Sequence, residues 1–106
     1  MSCRTFIPTP ISLQIPSITL INPDTISISD KTATIFITGI NFNIQSVVTM
    51  NDVKCVSFYN TSNQLGFYIP STMWIAGTYN IQVSNANNQI YNTQLVQSNI
   101  VLLTLL

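Results

Sequence analysis

From Thr78 to Ser84 the chain reads Thr-Tyr-Asn-Ile-Gln-Val-Ser, with apolar and polar side chains strictly alternating. A period of two puts Tyr79, Ile81 and Val83 on one face of an extended backbone and Asn80, Gln82 and Ser84 on the other. A helix, repeating every 3.6 residues, would scatter the same side chains around its surface. The alternation recurs in Lys31–Thr38, Ser46–Met50, Val53–Phe58 and Gln64–Ile69. Ser17–Asn22 precedes them as a first strand, Thr25–Ser29 is a short edge piece, and Gln89–Leu95 is a last strand. Asn22-Pro23 closes the first strand, and Asn85-Ala86-Asn87-Asn88 turns the chain before the last. Asparagine suits that turn because it tolerates left-handed backbone. About seven to eight short strands with near-regular turn signals predict an all-β fold, an antiparallel sandwich or barrel.

The two ends lie outside this rhythm. Residues 1–15 form an N-terminal arm in which Pro8 and Pro10 prevent central-strand pairing, and Pro16 closes it. Residues 16–96 carry the strands as one domain. Residues 97–106 form an apolar tail with Ile100, Val101, Leu102, Leu103, Leu105 and Leu106. Burying each of these side chains is worth roughly 1.5–3 kcal/mol, so the run must find a site. It is too short to span a bilayer, which takes about 20 residues. Two outcomes remain open: an extra edge strand on its own sheet, or addition to a neighbouring chain's sheet.

Five segments together resemble the IPT/TIG family of immunoglobulin-like domains. They are "PSITLINP" from Pro16, "ATIFITGINF" from Ala33, "VVTMNDVKC" from Val47, "LGFYIP" from Leu65 and "AGTYNIQVSN" from Ala76. The resemblance implies an immunoglobulin-like antiparallel β-sandwich of two sheets. It turns Ile35, Ile37, Leu65, Phe67 and Ile69 inward and Thr34, Phe36, Thr38 and Tyr68 outward, with the two strands as neighbours in one sheet. Phe36 and Tyr68 then share an outer face, covered by the chain's own ends or offered to another protein. The resemblance also gives Gly39 a sharp turn with backbone angles that a side chain would forbid. Phe42 returns to the end of the core, and Tyr79 takes a structural tyrosine-corner position. Extracellular members often pair a cysteine at the position of Cys55 with one just before the proline of the fourth segment. Here Tyr68-Ile69 precede Pro70, so that partner is missing. Cys3 sits in the proline-spaced arm, and we expect no fixed bridge from it to Cys55. With no secretory signal in "MSCRTFIPTPISLQIP", a reducing compartment is expected.

Composition removes most chemistry. There is no histidine to activate a serine or cysteine nucleophile. Asp24, Asp30 and Asp52 fall in turns, where aspartate makes local hydrogen bonds. Zinc lacks its nitrogen and sulfur ligands, calcium lacks a clustered Asp-x-Asp pattern, and the dispersed Gly39, Gly66 and Gly77 make no phosphate loop. Arg4, Lys31 and Lys54 are isolated cations in a chain of formal net charge zero, which argues against nucleic-acid binding. Asn60-Thr61-Ser62 matches the glycosylation acceptor pattern, as an asparagine-rich chain does by chance. Trp74, between two strands in "STMWIAG", either caps the open end of the sandwich or binds a partner from a loop.

We therefore expect a non-enzymatic structural protein without cofactor or metal, binding other proteins of a larger assembly. The specific expectation is a small virion component (minor capsid, cement or decoration protein) assembled in the host cytoplasm. The Ile- and Asn-rich composition suits an AT-rich genome. Partner contacts are expected from Phe36, Tyr68, Trp74, Ile100, Val101, Leu102, Leu103, Leu105 and Leu106. The alternative is a carbohydrate- or receptor-binding adhesion module using Trp74, Tyr59 and Tyr91 beside the many amides.

Overall fold

The computed structural model describes residues 15–86 and 95–106. The N-terminal arm, Cys3, Tyr91 and most of the expected strand Gln89–Leu95 lie outside these residues. The strands are β1 Ser17–Asn22, β2 Thr25–Ile26, β3 Thr34–Ile40, β4 Val47–Met50, β5 Val53–Lys54, β6 Ser57–Thr61, β7 Gln64–Tyr68, β8 Gly77–Ala86, β9 Leu95–Gln97 and β10 Val101–Leu105. A turn of 3-10 helix at Ser71–Met73 joins β7 to β8.

Two sheets face each other. One is four-stranded, in the order β1-β3-β7-β6. The other runs β2-β10-β8-β4-β5, with β9 also paired to β8. Apart from the parallel pair β2–β10, all strand pairs are antiparallel. This is the predicted immunoglobulin-like sandwich. Between the sheets lie Ile18, Ile21, Ile35, Ile37, Phe42, Val48, Met50, Leu65, Phe67, Ile81, Val83, Leu103 and Leu105, all buried. Most are the inward members of alternating strands; on β1 a bulge after Ile18 spaces Ile18 and Ile21 three residues apart, and Phe42 drops into the core beyond β3 as expected.

The chain departs from the expected strands in two places. Thr25–Ser29 is extended only over Thr25–Ile26, and a turn follows in which Ala33 N–H donates to Asp30 O at 3.2 Å. The alternating run Val53–Phe58 is two strands in different sheets, β5 and β6, separated at Cys55-Val56. Asn51 and Asp52 close the β4–β5 hairpin with φ of 49° and 67°. Two left-handed residues in succession give a turn whose twist matches that of the flanking strands.

The glycine that ends the third strand acts differently from the expectation. Gly39 lies inside β3, and its φ is not in the left-handed region. Its side-chain position is occupied: a Cβ there would lie 1.9 Å from Ser17 O and 2.8 Å from Phe42 Cζ. β1 therefore approaches β3 through the missing side chain. The sharp turn belongs to Asn41, with φ of 65°, whose carbonyl accepts from Asn85 Nδ2 at 2.7 Å.

The apolar tail is part of the sandwich. β10 pairs with β8, Leu103 opposite Tyr79, and with β2, Thr104 opposite Thr25. It is an interior strand of its own sheet, neither an edge strand nor an arm. Leu103 and Leu105 are 0% and 1% exposed, so neither is available to a partner, contrary to the expectation for both. Val101 is half-buried against the same core. The kink before β10 is tied by Asn99, which accepts the Ile18 N–H at 2.8 Å and donates to Ile18 O at 3.0 Å, fastening one sheet to the other.

Candidate functional site

The outer face of the four-stranded sheet follows from the same parity that fills the core. On β3, Ile35 and Ile37 are fully buried, so Thr34, Phe36 and Thr38 turn out. On β7, Leu65 and Phe67 turn in and Tyr68 turns out, 44% exposed. β3 and β7 pair with Thr34 opposite Tyr68 and Phe36 opposite Gly66. Phe36 and Tyr68 thus stand on one outer face, as the family resemblance implied.

A third ring joins them. Phe58 on β6 also lies opposite Gly66. Its ring fills the space above the glycine, since a Cβ on Gly66 would sit 2.2 Å from Phe58 Cζ. The centroids of Phe36 and Phe58 are 6.1 Å apart at 86°, an edge-to-face contact. Those of Phe58 and Tyr68 are 5.9 Å apart at 40°. Phe58 therefore bridges the two expected residues, and the glycine between them makes room for it. Leu20 on β1 and Ile40 on β3 extend the apolar surface, as does Val56, whose carbonyl takes the Tyr68 N–H at 2.9 Å.

This face carries no charge. β1, β3, β6 and β7 contain no Asp, Glu, Lys or Arg. The acids and bases among the described residues, Asp24, Asp30, Lys31, Asp52 and Lys54, all lie off that sheet. A partner here gains apolar contact without stripping water from ions, the costliest part of a polar interface.

Sequence reasoning missed Phe58 as a site residue. The available signal was Gly66, a glycine in the middle of a well-formed strand, which marks a close approach from a neighbour. Gly66→Ala is expected to push the Phe58 ring out toward solvent, where it is already 38% exposed. Breaking the ring contacts should lower stability by about 1 kcal/mol, read from the denaturation midpoint.

The other expected residues do not join this site. Met73, the last residue of the 3-10 turn, and Trp74 after it pack against the core. Beside them Tyr79 OH donates to Ile75 O at 2.5 Å, which fulfils the corner role. Ile100, Leu102 and Leu106 are exposed, but Leu102 stands opposite Asn80 in the other sheet. The expected contact residues thus divide between the outer faces of two sheets and one end of the sandwich. Tyr59, opposite Leu65 near the start of β7, and Trp74, beyond its far end, do not form a common ring platform for a sugar.

Among the described residues no group of three His, Cys, Asp or Glu side chains stands close enough to hold a metal ion. Nor is any helix among them long and apolar enough to cross a membrane. Cys55 is buried at the sheet switch, and burial pushes its thiol up from 9.0 to about 11. The folded chain then keeps a proton that the unfolded chain releases. This contribution to stability is complete below pH 9.0 and is lost as pH rises toward about 11. The urea midpoint should fall over that window, and fall less in Cys55→Ala.

Residues 16–98 match a family model described as the IPT/TIG domain. No curated protein matches the chain.

Proposed function

The chain belongs to the IPT/TIG family of immunoglobulin-like domains, and on that premise we propose that it is a non-enzymatic assembly component that binds neighbouring subunits through the outer face of its four-stranded sheet. The family consists of non-enzymatic modules used in protein–protein or receptor interaction. One observation carries the choice of face: Phe36, Phe58 and Tyr68 form an uncharged aromatic cluster on a sheet without a single ionic side chain. Aromatic residues are enriched, and charged residues depleted, at the centres of protein interfaces. On this reading the exposed Ile100, Leu102 and Leu106 lie away from the contact.

The assembly we favour is a virus particle, with the chain as a minor capsid, cement or decoration protein put together in the host cytoplasm. The support is compositional: a sparsely charged, amide-rich surface with zero formal net charge, hence little repulsion between neighbours, and an Ile- and Asn-rich sequence suited to an AT-rich genome.

The test replaces Tyr68 by lysine, which leaves the core untouched, and Leu102 by lysine as a control on the opposite sheet. Purified particles from the source are then assayed for the chain. The reading predicts wild-type incorporation, loss with Tyr68→Lys and retention with Leu102→Lys. Absence of the wild-type chain from particles removes the virion role. Full incorporation of a folded Tyr68→Lys variant removes the face.

A further inference from the structure

Most strand edges of this sandwich are blunted. β2, β5 and β9 are only two or three residues long, and β5 carries Lys54. β1 is bulged between Ile18 and Leu20, and Asn99 occupies both the N–H and the C=O of Ile18. These are the devices by which native sheets discourage a further strand. β6 is neither short nor charged nor tied by a side chain from elsewhere: it spans five residues, Ser57-Phe58-Tyr59-Asn60-Thr61, without proline, and four of them are exposed. Its single irregularity falls between Tyr59 and Thr61, which leaves Ser57–Tyr59 regular.

Among the described residues β6 pairs only with β7, and the direction of its remaining backbone groups follows from one hydrogen bond. Tyr68 N–H donates to Val56 O at 2.9 Å, so Val56 faces β7. Backbone groups alternate along an antiparallel ladder. Phe58 therefore turns its N–H and C=O toward Gly66, while Ser57 and Tyr59 turn theirs outward.

We propose that two copies of this chain pair antiparallel through β6, about a two-fold axis at Phe58. In that register the outward groups of Ser57 meet those of Tyr59 in the second copy. They exchange N–H···O=C bonds on both sides of the axis. Phe58 faces Phe58 of the second copy as a non-hydrogen-bonded pair, the closer of the two kinds. Both rings lie on the outer sheet face, so the two aromatic clusters become one continuous patch. That continuity selects a second copy over an unrelated strand. Charge agrees, because no ionic residue lies in the paired segment and the chain's net charge is zero. The irregularity after Tyr59 ends the pairing, and an isologous contact closes at a dimer.

The pairing goes beyond the assembly role and does not depend on it, since the purified chain alone is the test material. Sedimentation equilibrium of the full chain should show a reversible monomer–dimer equilibrium. Tyr59→Pro removes an outward N–H on each copy without touching the bonds to β7, and should raise the dissociation constant at least about tenfold with the fold retained by circular dichroism. A monomeric wild-type chain overturns the proposal, whatever its partners in particles. So does a folded Tyr59→Pro variant that dimerises as wild type does. If Tyr59→Pro fails to fold, Phe58→Lys and Phe58→Glu decide. Each alone should be monomeric and their mixture dimeric, whereas a mixture that stays monomeric overturns the proposal.

Discussion

A chain cut after Ile100 is expected to show no cooperative unfolding transition. The deletion removes β10, which lies between β2 and β8 and is the only strand paired with β2 among the described residues. It also removes Leu103 and Leu105, both in the core. Truncating a single buried leucine costs roughly 2–5 kcal/mol, and a domain has only about 5–15 kcal/mol in total. Losing two such side chains together with a ladder of backbone bonds exceeds what a domain of this size can spare. Point substitutions separate the strand's faces. Leu103→Ala should cost about 2–5 kcal/mol in chemical denaturation. Leu102→Ala, at a side chain 57% exposed, should stay within about 0.5 kcal/mol of wild type. Equal effects at both positions would mean that β10 does not hold this register.

Gly39→Val should destabilise the chain by about 3 kcal/mol or more, at the upper end of core overpacking. A Cβ at this position would collide with Ser17 O, a backbone atom that cannot rotate away. β1 would have to leave β3, carrying Ile18 and Ile21 out of the core. Gly39→Ala meets the same atom and differs from valine only in degree. Gly66→Ala is the useful contrast, because it meets a ring that can swing outward. Melting temperatures of the three variants should rank Gly39→Val lowest and Gly66→Ala nearest to wild type.

These two predictions also show where the sequence was readable. Parity within a strand is local, so the inward Ile35, Ile37, Leu65 and Phe67 and the outward Phe36 and Tyr68 followed from alternation and the family pattern. Contacts between strands are not local. Ser17 O above Gly39 and Phe58 above Gly66 depend on registers that no short window contains. For that reason Gly39 was expected to need unusual backbone angles, when it needs empty space. The sheet switch at Cys55-Val56 was hidden because alternation continues through it. The tail misled for the opposite reason: Leu102 is apolar yet exposed, so Ile100–Leu103 looked like an unbroken apolar run rather than part of a strand with two faces. The candidate face was half legible, with Phe36 and Tyr68 readable from strand parity and Phe58 recoverable only from the mid-strand glycine.

The uncharged aromatic face and the absence of ionic side chains from its sheet give the account its functional content. Its thermodynamic basis is that rings already packed against each other lose little side-chain freedom on binding. A photo-crosslinking residue placed at Tyr68, and in a separate chain at Asn80 on the outer face of the other sheet, measures directly which face is covered in the native assembly. The account predicts abundant crosslinks from position 68 to a neighbouring subunit and few from position 80. Crosslinks from position 80 with none from position 68 would contradict it.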